Sequence, residues 1–151
     1  MDKIELYNSK KGTLEDCLSI IESGDTIAAA PAACEPDTLI RNLPKIFDRV
    51  TGLKLHKGMN HDYEYMWEPG AAEHIQVTTN LFGHRNAHRA GVSEYIPGNL
   101  SEGSEVFREV SPNRIFIAMA SDMDENGNFQ VSYDYQVEGD IYEAADTVIL
   151  E

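Results

Sequence analysis

The sequence predicts an α/β domain: a mostly parallel sheet with helices on both faces. Three observations point there. Short apolar strand candidates alternate along the chain with stripes of helical period. The strongest candidate, residues 114–120 reading RIFIAMA, is apolar on both faces, as a strand inside a parallel sheet must be. Right-handed crossovers between parallel strands then distribute the helices over both faces. With 151 residues the chain has room for one core. A chain of this size buries roughly 70% of the surface it would expose unfolded. Residues 1–151 are therefore read as one domain.

The elements follow in order. Thr13 caps a helix with Asp16 three residues on, Leu14, Leu18 and Ile21 form its apolar stripe, and Gly24 ends it. Residues 25–30 read as a first strand, followed by a turn through Pro31 and Pro36. Leu39, Leu43, Ile46, Phe47 and Val50 form a second helical stripe closed by Gly52. Pro44 lacks an N–H and should divide that stripe. Residues 53–56 and 74–79 read as strands, with Ile75 and Val77 on one face and His56 and His74 as ordinary sheet residues. A polar helix over residues 85–90 is stopped by Gly91. Another short helix is expected at 101–109. After the strand at 114–120 comes a polar loop at 121–128, a short strand at 129–132 and a weak helix at about 135–145. A buried apolar strand at 147–150 is the last element. The chain stops at Glu151 with no turn or polar tail, which raises the expectation that more polypeptide follows in the natural protein.

Composition excludes several classes. Apolar residues make up 42% of the chain, too many for a disordered tail. Twelve Lys and Arg against 26 Asp and Glu give a net charge of −14, which argues against nucleic acid and anionic membrane surfaces as partners. No apolar run approaches the 18 or more residues of a membrane span. The N-terminus lacks the apolar centre of a signal peptide. Cys17 and Cys34 have no paired spacing and read as reduced thiols of a cytoplasmic protein.

Four segments carry candidate chemistry. Residues 122–127, DMDENG, match the opening of a calcium loop, but Tyr133 stands where the twelfth-position Glu would be, so a tight turn around Gly127 is the better reading. In HRNAHR, His84 and His88 are spaced to share a metal, yet the Glu of a metalloprotease helix is missing; Arg85 and Arg89 suit an anion instead. Glu35 lies in the loop after the first strand, at the sheet edge where α/β proteins bind ligands. The polar and aromatic run HDYEYMW at 61–67 suits either a pocket wall or a packing surface. No glycine loop for phosphates and no nucleophile elbow is present in the sequence.

Residues 81–102, LFGHRNAHRAGVSEYIPGNLSE, resemble the acetyl-CoA hydrolase/transferase family. That family includes acetate, butyrate and 4-hydroxybutyrate CoA-transferases. The matching positions are Phe82, Gly83, Arg85, Gly91, Tyr95, Ile96, Pro97, Leu100, Ser101 and Glu102. Three further segments agree in order: Ser23-Gly24-Asp25 with Glu35-Pro36, then Ser121, Asp124, Gly127 and Phe129, then the strand before Glu151. The chain departs from the family at Pro31, where a His is frequent, and at Val92, where a basic residue is.

The resemblance implies a Rossmann-like CoA-transferase domain, the N-terminal one of two. It implies CoA as a substrate with no permanently bound cofactor, an acyl-CoA and a short carboxylic acid as ligands, and a homo-oligomer at full length. The family's reactive glutamate belongs to the C-terminal domain, so no catalytic residue and no metal ligand is assigned on this chain. Pro31, Glu35, Asn80, Arg85 and Ser121, in loops at the carboxyl ends of the strands, are the candidates for contact with substrate or CoA. A hydrolase using water as acceptor, and a free-standing non-catalytic small-molecule-binding domain, are the alternatives.

Overall fold

The structure, a computed structural model, describes residues 2–79, 85–97, 112–131 and 138–151. Six strands form one parallel sheet: β1 (Thr26–Ala29), β2 (Leu53–His56), β3 (Ile75–Thr79), β4 (Ser93–Tyr95), β5 (Arg114–Ala118) and β6 (Thr147–Leu150). Their order across the sheet is β4-β3-β2-β1-β5-β6, and every pairing is parallel. The chain moves outward from β1 to β4, then returns to the other side of β1. This reversal between β1 and β5 is a topological switch point.

The helices are α1 (Lys3–Lys10), α2 (Leu14–Ile20), α3 (Asp37–Asn42), α4 (Ala71–His74), α5 (Arg85–Arg89) and α6 (Glu138–Ala144). Thr13 accepts from the Asp16 N–H, and the Asp16 carboxylate returns to the Thr13 N–H, so α2 starts at the expected capping box. α3 ends at Asn42 and a 3₁₀ turn, Leu43–Ile46, carries Pro44, which is the division that proline requires.

The main core lies on one face of the sheet. Leu18 and Ile21 from the α2 segment and Leu39, Ile40, Leu43, Ile46 and Val50 from the α3 segment close over Ile27, Leu55, Val77, Ile115 and Ile117. Burying each such side chain stabilises the fold by about 1.5–3 kcal/mol. On the opposite face Ala28, Ala30, Phe116 and Ala118 meet Ile141 of α6. Helices therefore cover both faces.

Three expectations are corrected. Residues 147–150 form an edge strand, paired with β5 alone, and Val148 and Leu150 are exposed. Residues 148–150 are apolar on both faces, as in a buried strand, yet of these only Ile149 faces the core. His74 closes α4 instead of opening β3; its ring stacks on Phe47 at 4.7 Å. Residues 129–131 make a single antiparallel bridge, Ala120 to Val131, in place of a strand. The helix expected at 101–109 lies outside the described residues. Among the described residues no helix is long and apolar enough to cross a membrane.

Candidate functional site

The carboxyl ends of β1, β2 and β5 meet at the switch point, and the loops there are stitched together. Pro31 opens a 3₁₀ turn, Ala32–Cys34, with the Cys34 N–H donating to the Pro31 carbonyl at 2.9 Å. Ala32 sits at φ 48°, a left-handed conformation that costs a residue with a Cβ about 1–2 kcal/mol. Its N–H donates to the carbonyl of Met59, in the loop after β2, at 3.1 Å. Asn60 reinforces the join, accepting from the Gly58 N–H and donating its amide to the Ala30 carbonyl, both at 2.9 Å. Met119, just past β5, donates its N–H to the Cys34 carbonyl at 2.9 Å.

Glu35 is the anchor of this arrangement. It is only 4% exposed, yet it is well supplied with donors. The His61 N–H donates to both carboxylate oxygens at 3.0 and 3.1 Å, and His61 Nδ1 lies 2.8 Å from Oε2. The Tyr63 hydroxyl stands 2.9 Å from Glu35 and 2.8 Å from Asp37. One hydroxyl proton serves one carboxylate at a time, so Tyr63 links the two acids. Burial, together with the two carboxylates, pushes the Tyr63 phenol far above its ordinary range. The Arg41 guanidinium grips Asp37 at 2.8 and 3.0 Å and, with Tyr63, holds that carboxyl below the usual range.

Lys57 lies beneath the same loops and is fully buried. Its N–H continues the sheet ladder to the Thr78 carbonyl at 3.0 Å. Its ammonium donates to the His61 carbonyl, lies 3.7 Å from the Met66 sulfur and sits 5.5 Å from the centre of the Tyr63 ring. The partners are a carbonyl, a thioether and a ring, with no carboxylate among them. Burial draws the Lys57 amine down to about 8, against the upward pull of Asp62 and Glu35.

The sequence candidates divide. The structure brings Pro31 and Glu35 together with residues 57–63. Ser121 is turned into its own hairpin: its hydroxyl donates to the Asp122 carbonyl and accepts from the Gln130 N–H. Arg85 begins α5, is exposed, and has no hydrogen bond to the Glu35 cluster. Asn80 and His84 lie outside the described residues. In the loop at 122–128 the Asp124 carboxylate accepts from the Asn126 and Asn128 N–H groups, and Gly127 takes φ 84°. Asp122 bonds the Tyr7 hydroxyl at 2.6 Å. The loop is thus a turn organised by its own amides. Among the described residues no group of three or more His, Cys, Asp or Glu is placed to hold a metal.

Lys57, His61 and Tyr63 were not singled out individually from the sequence. The polar-aromatic run at 61–67 was the available signal, together with its place after a strand.

No known family profile matches the chain. Over 128 residues it is 24% identical to a succinyl-CoA:cyclohexane-1-carboxylate CoA transferase of Geobacter metallireducens, a match covering 83% of this chain and 29% of that protein. Among solved structures, RipA from Yersinia pestis superimposes with a TM-score of 0.83 and 22% identity, over 99% of this chain and 38% of the other. A 4-hydroxybutyrate CoA-transferase from Porphyromonas gingivalis gives 0.64 and 14%, over 99% of this chain and 34% of the other. The fold is that of a CoA-transferase-like N-terminal domain. The chain spans about a third of the length of these proteins.

Proposed function

We propose that this CoA-transferase-like domain is the N-terminal lobe of an enzyme that moves CoA between an acyl-CoA and a small carboxylic acid such as acetate, butyrate or 4-hydroxybutyrate. The observation that carries the reading is the match, over 83% of the chain, to a CoA transferase. The placement of the stitched loops at the switch point supports it, because open α/β sheets bind ligands in that crevice.

In the proposed reaction a glutamate of a second lobe attacks the acyl-CoA. The resulting acyl-glutamyl anhydride becomes a glutamyl-CoA thioester, which the second acid then takes over. Glu35 is unsuited to that part, since it is buried and its oxygens are occupied by His61 and Tyr63. Its part is to hold the loops that face CoA. Arg85, exposed at the start of α5, is the proposed contact for an anionic group of the substrate. CoA comes and goes as substrate, and the full-length protein is proposed to be a cytoplasmic homo-oligomer. The free thiols Cys17 and Cys34 fit that reducing compartment.

The test is a mass-spectrometric assay of CoA exchange. The purified 151-residue chain, given acetyl-CoA or succinyl-CoA and a short acid, is expected to bind the thioester and to produce no exchanged thioester. Exchange by this chain alone, or failure to bind any CoA compound, would overturn the reading.

A further inference from the structure

We propose that His61, held in place by Glu35, is the residue of this site that takes the proton from the thiol of CoA. The inference rests on the reading of the domain as one that handles CoA.

The geometry sets the imidazole up as a base. Both Glu35 oxygens accept from the His61 N–H, and Oε1 also from the Tyr63 hydroxyl, so the ring is set to donate from Nδ1 across the 2.8 Å contact. Nε2 is then left with its lone pair. The His61 side chain is 77% exposed while its carboxylate partner is 4% exposed, so the pair points a basic nitrogen outward from a buried anchor. Among the described residues Nε2 has no partner. The backbone is pinned as well: the His61 N–H donates to Glu35, and the His61 carbonyl accepts from the buried Lys57 ammonium. A solvated surface histidine has no need of being fixed at ring, amide and carbonyl together. The neighbouring charges are mixed. Glu35 is bonded to the ring, Asp62 follows in the chain, Asp37 is linked through Tyr63 and paired with Arg41, and Lys57 donates to the His61 carbonyl.

The chemistry selects the ligand group. At neutral pH the carboxylic acid is already ionised, and the phosphates of CoA carry their charges. An alkyl thiol loses its proton near pH 8.5, and it is the acidic proton within an imidazole's reach. In the step the S–H bond breaks, the electron pair stays on sulfur and an N–H bond forms at Nε2. The product is a thiolate beside an imidazolium whose charge faces Glu35. No oxidant or second reactant is consumed, and the proton returns to sulfur when free CoA departs. The thiolate is the nucleophilic form, so the pair would keep departed CoA ready to attack the acyl group again.

The test compares CoA with desulfo-CoA, in which hydrogen replaces the thiol, by calorimetric titration of the 151-residue chain at neutral pH. CoA is expected to bind about fivefold or more tightly than desulfo-CoA, the worth of one charge-assisted contact. In His61→Asn, whose amide can still donate to Glu35, the ratio of the two affinities should fall to about one. The ultraviolet thiolate band should appear when CoA meets the unsubstituted chain and stay absent with His61→Asn. Equal affinities in the unsubstituted chain, or a preference that survives the substitution, would overturn the proposal and leave the CoA-binding reading standing. Failure to bind either compound would overturn both.

Discussion

Replacing Lys57 by Met should change how stability depends on pH. The native amine is drawn from its ordinary 10.5 to about 8 because a fully buried ammonium loses its hydration. The unfolded chain keeps its proton up to the ordinary value. Between the two pH values the unfolded state therefore binds more protons, and stability rises with pH. A gap of roughly 2.5 pH units at about 1.4 kcal/mol each amounts to about 3 kcal/mol over the whole window, of which about 2 kcal/mol develops by pH 9.5. Lys57→Met removes the charge and keeps most of the apolar stem. It also leaves the His61 carbonyl without its donor, at about 1–2 kcal/mol. Urea unfolding followed from pH 7 to about 9.5 reads both curves. The Cys17 thiol, pushed up by burial, and the raised Tyr63 and Tyr65 phenols act equally in the two proteins and cancel in the difference. The expected result is a stability difference between the two chains that shifts by about 2 kcal/mol in favour of the unsubstituted chain across this range. Two parallel curves would refute the argument, because they would mean that the ammonium is hydrated in the native state.

Three further outcomes follow from the same structure. Glu35→Ala removes the acceptor shared by His61 and Tyr63 and should cost about 2–4 kcal/mol in urea unfolding, with Tyr63 still bonded to Asp37. Glu151→Ala should cost about 1 kcal/mol, since the Glu151 carboxylate accepts from the Thr38 and Leu39 N–H groups at 3.0 Å and caps α3, where Pro36 offers no side-chain cap. The Asp146 carboxyl is held down to about 2 by the Arg114 guanidinium and the Arg114 N–H. Its contribution is present above the ordinary 3.8 and lost as pH falls through about 2, so Asp146→Asn should flatten the acid limb of a thermal unfolding series.

Local signals in the sequence carried the fold where the interactions are local. The Thr13 and Asp16 capping pair, the Pro44 division, the doubly apolar β5 and the Gly91 stop are all set within a few residues. They appear in the structure where the sequence puts them. α1 was missed although Asp2 and Glu5 form its capping box. It buries no residue, and what holds it is remote: Lys3 on the Asn126 carbonyl and Tyr7 on Asp122 and the Phe129 ring. β6 has an interior composition at an edge position, and only the pairing order reveals that. The site was half legible. Glu35 could be placed in the loop after β1, since strand-end loops are where such sheets carry sites. Its partner His61 lies 26 residues further on. Lys57 reads as a surface lysine in HKGMNHDY, and it is buried only because residues 58–63 fold back over it.

The carboxyl edge of β1, β2 and β5 is the edge proposed to face CoA. Amide shift mapping of the labelled 151-residue chain during a CoA titration addresses it directly. Saturable shifts are expected at residues 32–35, 58–63 and 119–121. Shifts confined to the opposite edge of the sheet, around Gly24, Thr51 and Asn113, or none at saturating CoA, would contradict it.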